Sequence, residues 1–552
     1  MREIGGSQLL NKMSNEKLKE YCGELKKKID LNNRILFVKG PQLNLKTFEE
    51  DVARNRCYYV YPPTGLQYLA QAIEGRGLET QILDLNYEFL NSVNRGGSTN
   101  WISFLEKKLQ DYRPSIIGVS NLFTVDTPGF LKILEYLKRK EHIIIAGGQN
   151  ATYEGTKLLE KDLCHFVCER ESENKINFLL DNLFGKDVHK ATPGIYFKYK
   201  DEIIETNGEK DVVELKGNLI NSYKLVPIEK YCQVGTLSPY SRMVGVNEPF
   251  AALLFVRGCQ GKCKFCGVVD YMGKGIRSRE VKDFLDELEY LNKKRGIKFF
   301  ELLDDNFTAK KDRALEVLQG IIDRKIDIKW ASSNGIIAAR LDEELMEKMR
   351  DSGCIGFKTG VESGNEEILK KIHKPGSLKS FKKFSALAQK FPEMFIVDNY
   401  IIGFPGETFS QILDSYKFPI EMNLDWSNFS VYQPNVSYFG EERKKIGDFT
   451  PTKDAIRGKL PSLKGVFLGK DIFEIPGDTV PSREQLNHIW FAFNLVRNFI
   501  MNKNIKPDGN HEKYLSWVET LEGRYPTHPY ICLLYTSPSP RDLSTSRMPS
   551  SA

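Results

Sequence analysis

The sequence has little of what marks a membrane, secreted or nucleic-acid-binding protein. No apolar run in its 552 residues approaches the ~20 residues that span a bilayer, and its start carries no secretory signal. With 79 Lys and Arg against 73 Asp and Glu, the net charge is too small to indicate a nucleic acid partner. Ten cysteines are too few for a disulfide scaffold. We therefore expect a soluble, cytoplasmic protein without a membrane span.

The C-terminal residues 532–552 differ in composition from the rest of the chain. They read CLLYTSPSPRDLSTSRMPSSA, are rich in Ser and Pro, and have no hydrophobic period. Cys532–Asp542 and Ser546–Ala552 resemble two parts of a translated sequencing adapter in one reading frame. A natural disordered tail is the alternative. We interpret the segment as non-native and expect it not to pack, with the natural chain continuing past Ile531.

Short β-rich runs alternate with helical patterns over residues 31–200. Buried strands separated by helices predict a parallel, doubly wound sheet, in which ligands bind beyond the carboxyl ends of the strands. Residues 1–30 predict a short surface helix with Ser14 as its N-cap. The strands are predicted at Arg34–Gly40, Glu79–Asn86, Ser115–Asn121 and His142–Gly148. The candidate ligand loops follow Val38, Leu85, Val119 and Ala146.

Residues 201–245 have no clear period, and we interpret them as a linker with one hairpin. Six βα units follow within residues 246–450 and predict a partial (β/α)6 barrel of the TIM type, because a full eight-unit barrel takes roughly 250 residues. Residues 451–531 predict a C-terminal region with an aromatic-rich helix near Leu486–Phe499. The barrel strands are predicted at Ala251–Val256, Lys298–Asp305, Lys329–Asn334, Gly356–Ser363, Phe395–Gly403 and Asn428–Pro434.

Three cysteines are concentrated directly after the first predicted barrel strand. Cys259, Cys263 and Cys266 have C-x3-C-x2-C spacing within FVRGCQGKCKFCGV. Three thiolates can bind three irons of a [4Fe–4S] cluster and leave the fourth iron open. A structural zinc site requires four ligands, and no fourth Cys or His lies within twenty residues of these three cysteines. The pattern favours an iron–sulfur cluster; zinc, or cysteines without a metal role, are the alternatives.

This motif resembles the signature of the radical S-adenosylmethionine (SAM) superfamily, C-x3-C-x-aromatic-C, with Phe265 at the aromatic position. The resemblance covers about residues 246–440. It implies that the open iron chelates the methionine part of SAM. One electron from the cluster then cleaves the sulfonium and yields a 5′-deoxyadenosyl radical that abstracts hydrogen.

The resemblance also implies SAM contacts at the ends of later strands. Glu362 in GVESG, after the fourth strand, resembles the family's polar residue that hydrogen-bonds the ribose or amino group of SAM. The turn GFPGET at 403–408 resembles the family's fifth-strand turn, although a plain βα turn explains it equally well. Helix capping is the alternative role for the acidic and amide residues after the second strand. Those residues are Asp304, Asp305 and Asn306, and the weaker candidates after the third strand are Ser333 and Asn334.

A doubly wound domain in front of a radical SAM barrel resembles the cobalamin-binding subfamily. The glycines of IIIAGGQNAT, Gly147 and Gly148, permit close approach of the backbone to a large planar ligand. Gln149 and Asn150 are expected beside the corrin. The D-x-H-x-x-G signature for a lower axial histidine is absent, because the near match at Asp187 and His189 has Thr192 in place of glycine. We expect cobalamin without a protein imidazole below cobalt, or a domain that no longer binds it.

The resemblance implies a cobalamin-dependent radical SAM methyltransferase that methylates an unactivated carbon, with the methyl group passing from SAM through cobalamin. It implies a small-molecule or peptide substrate and an electron donor such as flavodoxin or ferredoxin. Cyclisation, rearrangement or methylthiolation is the alternative chemistry. A non-catalytic iron–sulfur or zinc protein that binds nucleic acid is the alternative class, and the sequence lacks the basic, aromatic stripe which that class requires. We expect the loops of the front domain to share a cavity with the barrel mouth.

Overall fold

Parallel strands alternate with helices in both halves of the chain, which confirms the predicted fold class. The computed structural model describes residues 2–43, 45, 48–122, 126–186, 189–208, 212–273, 275–433 and 475–522. The interpreted adapter at 532–552 and much of the C-terminal region lie outside these residues. The chain divides into two compact units, one extending to Thr236 and the other beginning at Leu237.

A seven-stranded sheet forms the centre of the first unit, in the order β2-β1-β3-β4-β5-β6-β7. The first five strands are parallel, and β6 and β7 add an antiparallel hairpin. The strand order reverses at β1, and in open α/β sheets such a reversal creates a crevice at the carboxyl ends of the strands. The strands are β1 (Arg34–Lys39), β2 (Glu79–Asp84), β3 (Ile116–Ser120), β4 (Ile143–Gly147), β5 (Phe166–Cys168), β6 (Ile195–Tyr199) and β7 (Glu202–Glu205).

The helices of this unit differ from the sequence predictions in two places. The first helix begins at Arg2 and not at Ser14, and Leu18 and Cys22 on one of its faces are fully buried. The second strand ends at Asp84, because the Asp84 carboxylate accepts hydrogen bonds from the backbone of Asn86 and Tyr87 and so starts a helix at Leu85. The helices are α1 (Arg2–Lys28), α2 (Glu50–Arg54), α3 (Thr64–Ala72), α4 (Leu85–Asn94), α5 (Ile102–Tyr112), α6 (Thr127–Leu137), α7 (Gln149–Glu160) and α8 (Glu173–Phe184).

The segment interpreted as a linker, 201–245, packs more fully than its lack of periodicity suggested. Tyr223 and Tyr231 are fully buried in the first unit, and the Tyr231 hydroxyl donates to Asp84 Oδ2 at 2.9 Å. From Leu237 the chain belongs to the second unit, which begins with α9 (Pro239–Val244) and the buried Tyr240. The buried residues of this segment are aromatic and irregularly spaced, so no hydrophobic period in the sequence indicated that the segment packs.

Six parallel strands in the order β15-β14-β13-β12-β11-β8 form the partial barrel of the second unit. A two-residue strand, β9 (Val256–Arg257), leaves the first barrel strand and pairs with β10 (Arg277–Ser278). The barrel strands are β8 (Phe250–Leu253), β11 (Phe299–Leu302), β12 (Lys329–Ile336), β13 (Cys354–Glu362), β14 (Phe395–Ile402) and β15 (Trp426–Val431). The helices are α10 (Val268–Met272), α11 (Val281–Arg295), α12 (Lys311–Asp323), α13 (Glu343–Asp351), α14 (Glu366–Lys371), α15 (Leu378–Ala388), α16 (Phe409–Met422), α17 (Arg483–Leu495) and α18 (His511–Glu522).

Asparagine side chains from the C-terminal region cover the edge strand β15. Asn494 on α17 exchanges two hydrogen bonds with the backbone of Phe429, both at 3.1 Å. One turn later, Asn498 accepts from Ser427 N at 2.9 Å and donates to Ser427 O at 2.7 Å. These amides satisfy backbone groups that an open sheet edge leaves unpaired. None of the described helices is both long and apolar enough to cross a bilayer.

Candidate functional site

The three-cysteine loop follows the first barrel strand, at its carboxyl end. Gly258, which opens the loop, has a φ of +88°, and a Cβ at this position would lie 2.3 Å from the Gly275 carbonyl oxygen. Only glycine fits this position without a backbone shift. Parallel barrels place their active sites at this end of the strands.

The cysteine thiols are free of disulfides and partly exposed. A methyl group placed on Gly261 would lie 3.3 Å from Cys259 Sγ and 3.7 Å from Cys263 Sγ, so these two sulfurs lie on one side of Gly261. Burial raises the pKa of Cys263 to about 11 and also raises the pKa of Cys266, and both thiols interact electrostatically with Cys259. In the described part of the chain, no three Cys, His, Asp or Glu side chains are arranged around a single metal ion. Three thiols of one loop can each bind a different iron of a [4Fe–4S] cluster, so they need not surround a single metal ion.

Asp304 and Asp305 hold the segment that leads into the cysteine loop. Asp304 Oδ1 accepts from the backbone N–H groups of Phe255 at 2.7 Å and Val256 at 2.9 Å. Asp305 Oδ2 accepts from Gly258 N at 2.7 Å. Asp304 is fully buried, which raises its pKa to about 7, although the two backbone donors oppose this shift. Both carboxyl groups thus accept hydrogen bonds from backbone N–H groups that lead into the cysteine loop, contacts that the sequence did not predict.

Glu362 and Lys374 form a buried ion pair beside the same loop. Lys374 Nζ donates to Glu362 Oε1 at 2.9 Å, and the two side chains are 10% and 11% exposed. Glu362 has a φ of +71°, a conformation that costs a non-glycine residue about 1–2 kcal/mol. A Cβ on Gly360 would lie 2.1 Å from Glu362 Oε1, so this glycine makes room for the pair. Strain of this kind is concentrated at functional sites.

The turn at 403–408 supports the aromatic residue of the cysteine loop. The Phe265 ring lies 5.7 Å from the Phe404 ring, centroid to centroid. Glu407 Oε2 accepts from Gly403 N at 2.6 Å and from Phe404 N at 3.0 Å, which fixes the turn. The turn therefore acts on the cysteine loop through Phe404, a contact that the sequence did not reveal.

We expect Glu407→Gln to gain stability relative to the wild type as the pH rises. Burial raises the pKa of Glu407 to about 7, so between about pH 4.5 and pH 7 the unfolded chain loses this proton more readily than the folded chain. The stability that the protonated carboxyl contributes is therefore present below about pH 4.5 and lost as pH rises through 7. Urea unfolding of the full chain at several pH values measures the difference, at most about 3 kcal/mol. The exposed Glu347→Gln is the control, and parallel pH profiles for all three proteins would contradict the expectation.

Buried polar atoms remain available where the second and third barrel strands end. Asp304 Oδ2, Asn306 Oδ1 and Ser332 Oγ are buried without a hydrogen-bond partner among the described residues. Asn306 precedes a short 3₁₀ turn but makes no capping hydrogen bond. Ser333 is held through its backbone N, which donates to the buried Glu301 carboxylate at 2.5 Å, and Asn334 Nδ2 donates to Leu303 O at 2.7 Å. A polar ligand such as SAM would satisfy the unpaired atoms.

In the first unit, the two glycines after the fourth strand have different surroundings. Gly148 has a φ of +96°, and a Cβ there would lie 2.3 Å from the Asn121 carbonyl oxygen, so its close approach is to the protein's own backbone. A Cβ on Gly147 would meet no described atom closer than Cys168 O at 3.9 Å. Asn150 is buried and donates to Thr127 Oγ1 at 2.9 Å. Gly147 therefore has room for a methyl group, and it lies at the carboxyl end of β4, where ligands of such sheets bind.

The histidines described in the first unit lie at the other edge of the sheet. His142 and His165 directly precede β4 and β5. The Nδ1 atom of each forms a hydrogen bond with the backbone, His142 with Pro114 O and His165 with Ile144 N. His189 pairs with Asp181 at 2.6 Å, and Arg76 also contacts Asp181 just before β2 begins. Because the amino ends of parallel strands are opposite the ligand edge, these imidazoles are poorly placed to reach a bound cobalt. Asp187 lies outside the described residues, so the interpretation of the Asp187/His189 match as chance stays a prediction.

Comparisons with known proteins agree with this architecture. Residues 253–418 match the model of the radical SAM superfamily, and residues 51–178 match that of the B12 binding domain. The cytidylyl-2-hydroxyethylphosphonate methyltransferase of Streptomyces wedmorensis is 26% identical over 76% of this chain and 85% of its own. The anaerobic magnesium-protoporphyrin IX monomethyl ester cyclase of Cereibacter sphaeroides is 22% identical over 68% and 59%. The structure of the radical SAM methyltransferase TsrM from Kitasatospora setae, with cobalamin and a [4Fe–4S] cluster bound, aligns at a TM-score of 0.57 and 16% identity, covering 73% of this chain and 75% of that one.

The two units thus define an α/β enzyme in which a doubly wound domain precedes the partial barrel in the sequence. The chain carries a B12-binding domain followed by a radical SAM domain. Its cofactors are accordingly a [4Fe–4S] cluster, SAM and cobalamin. The predictions of fold class, superfamily and cofactors are confirmed.

Proposed function

We propose that this protein is a cobalamin-dependent radical SAM methyltransferase acting on an unactivated carbon. The observation that carries the proposal is the group of three thiols at the carboxyl end of a barrel's first strand, in a chain that also has a B12-binding domain. The similarity to the Streptomyces wedmorensis methyltransferase, which covers most of both chains, supports methyl transfer as the reaction class.

In this proposal Cys259, Cys263 and Cys266 hold the cluster. When bound, the cluster and SAM supply a carbon-centred radical, and cobalamin supplies the methyl group. Asp304 and Asp305 act as positioning residues, since they fix the backbone from Phe255 to Gly258 that leads into the cysteines. Burial raises the pKa values of Cys263 and Cys266, so binding of iron must release their protons.

Glu362, Asn306 and Ser333 are the proposed SAM contacts. Asp304 holds the loop through Oδ1, and its unpaired Oδ2 remains available to SAM. Glu362 is buried and held by Lys374, so its orientation is fixed before any ligand arrives. Fixed hydrogen-bonding groups position a reacting molecule without further ordering cost. Phe265 completes the loop by packing on Phe404.

Gly147 is the proposed contact for the corrin in the first unit, and Gly148 shapes the turn beside it. We propose that cobalamin binds there without an axial imidazole from this chain. A small-molecule or peptide substrate, a one-electron donor such as flavodoxin or ferredoxin, and a cytoplasmic location complete the proposal. The shared cavity between the two units stays a prediction.

The proposal is tested without knowledge of the substrate. The full chain, reconstituted anaerobically with iron, sulfide and cobalamin, is incubated with SAM and dithionite. We expect formation of S-adenosylhomocysteine, which reports methyl transfer from SAM, and of 5′-deoxyadenosine, which reports radical cleavage. Omission of cobalamin is the control, and it should abolish only the first product. If S-adenosylhomocysteine never forms although cobalamin is bound, the methyltransferase proposal is wrong.

A second candidate is a radical SAM enzyme that binds cobalamin but performs cyclisation. Similarity to the Cereibacter sphaeroides cyclase over 68% of this chain favours it, although this chain covers only 59% of that protein. Formation of 5′-deoxyadenosine without S-adenosylhomocysteine in the same assay would support this candidate.

A further inference from the structure

Lys374 brings a positive charge to the cysteine loop from a distant part of the barrel sequence. The backbone N–H of Lys264, inside the loop, donates to the carbonyl of Ile372 at 3.0 Å. Ile372 is fully buried, and the next residue, His373, has a φ of +55°. The loop and the segment that carries Lys374 are therefore joined by backbone and by packing.

The charged groups around this point are few. Lys374 faces Glu362 at 2.9 Å and is also attracted electrostatically to Cys263 and Cys266. The ion pair with Glu362 keeps the Lys374 ammonium charged in this largely buried position. Among the charges acting on Cys263, Lys374 has a larger effect than Glu362. At Cys266, Asp305 acts with the opposite sign and has a larger effect than Lys374. The ammonium therefore outweighs its partner Glu362 at Cys263.

We propose that Lys374 is a positioning and tuning residue that raises the reduction potential of the cluster held by Cys259, Cys263 and Cys266, with Glu362 limiting its effect. This inference rests on the proposed function, since it requires a cluster at these cysteines. Reduction adds one electron, supplied by a low-potential one-electron donor, and makes the cluster more negative by one charge. A buried cation close by stabilises that reduced state, because net charge and exposure set the potentials of iron–sulfur clusters.

The test is a potentiometric titration of the full chain with dithionite, monitored by electron paramagnetic resonance, in the absence of SAM. We expect Lys374→Met to lower the midpoint potential, and Lys374→Arg, which keeps the charge, to restore most of it. Glu362→Gln should raise the potential, because it removes the opposing carboxylate. Lys370→Met removes an exposed charge from the neighbouring helix and should change nothing, since solvent screens it.

Iron content, measured on every variant, separates the possible failures. A wild-type protein that incorporates no cluster would overturn the proposed function and this inference together. A loaded Lys374→Met with the wild-type potential would overturn the inference alone. If Lys374→Met does not load, Glu362→Gln decides: a raised potential supports the inference, and an unchanged or lowered one overturns it.

Discussion

Replacing Cys259, Cys263 and Cys266 together with alanine should leave a folded protein that contains no iron after anaerobic reconstitution. The physical reason is that the loop offers no other ligands: among the described residues, no alternative group of Cys, His, Asp or Glu could hold a metal. Without the thiolates, nothing retains a cluster, and the open iron that SAM needs is lost. Iron analysis and the absorption spectrum measure the first effect. Formation of 5′-deoxyadenosine should fall to the level without enzyme.

The matched control is Cys354→Ala, which removes a thiol from the same unit but away from the loop. Cys354 lies on β13 and is buried, and its loss should cost about 1 kcal/mol of packing without affecting iron. Circular dichroism of the triple variant must match that of this control. Full iron loading of the triple variant would contradict the assignment of these cysteines to the cluster.

The sequence was sufficient for the first four strands of the first unit, for the six barrel strands and for the cysteine loop, because these depend on local patterns, whereas β5, β6 and β7 were not predicted as strands of the sheet. A run of buried β-branched residues such as Ile143–Gly147 predicts a strand without further information, and the spacing of three thiols is a local chemical signature. The predicted second strand ran two residues too far, to Asn86, because the role of Asp84 as the N-cap of the next helix was not recognised. Aspartate before an amphipathic run is a recognised signal for that role.

The environment of the cysteine loop could not be predicted, because it depends on contacts between distant segments. Asp304 was singled out as a polar residue near the site, but its bonds to Phe255 and Val256 cross about fifty residues of sequence. Lys374 was missed, and Glu407 was noted only as part of the turn at 403–408, since a single Lys or Glu in a loop carries no local signal. One local pattern does mark this segment: in the motif His373-Lys374-Pro375-Gly376, the proline and glycine predict a turn.

The glycine pair of the first unit separates a folding requirement from a ligand requirement. Gly148→Ala should destabilise the protein by at least about 2 kcal/mol, because alanine disfavours its positive φ and its methyl group would collide with the Asn121 carbonyl. Gly147→Ala should be tolerated in both folding and corrinoid binding, since a Cβ there meets only ordinary contacts. These two variants calibrate what a methyl group does at each position.

In a folded protein, Gly147→Phe should weaken corrinoid binding by about 100-fold or more, because its ring would occupy the carboxyl end of β4, where ligands of such sheets bind. The measurement is corrinoid absorbance retained after reconstitution and desalting, compared with the wild type and with Gly147→Ala. Iron content is the internal control, because the cysteine loop belongs to the other unit and should load normally. Loss of corrinoid with full iron would place the ligand at Gly147, whereas wild-type corrinoid binding by a folded Gly147→Phe would move the cobalamin site away from this strand end.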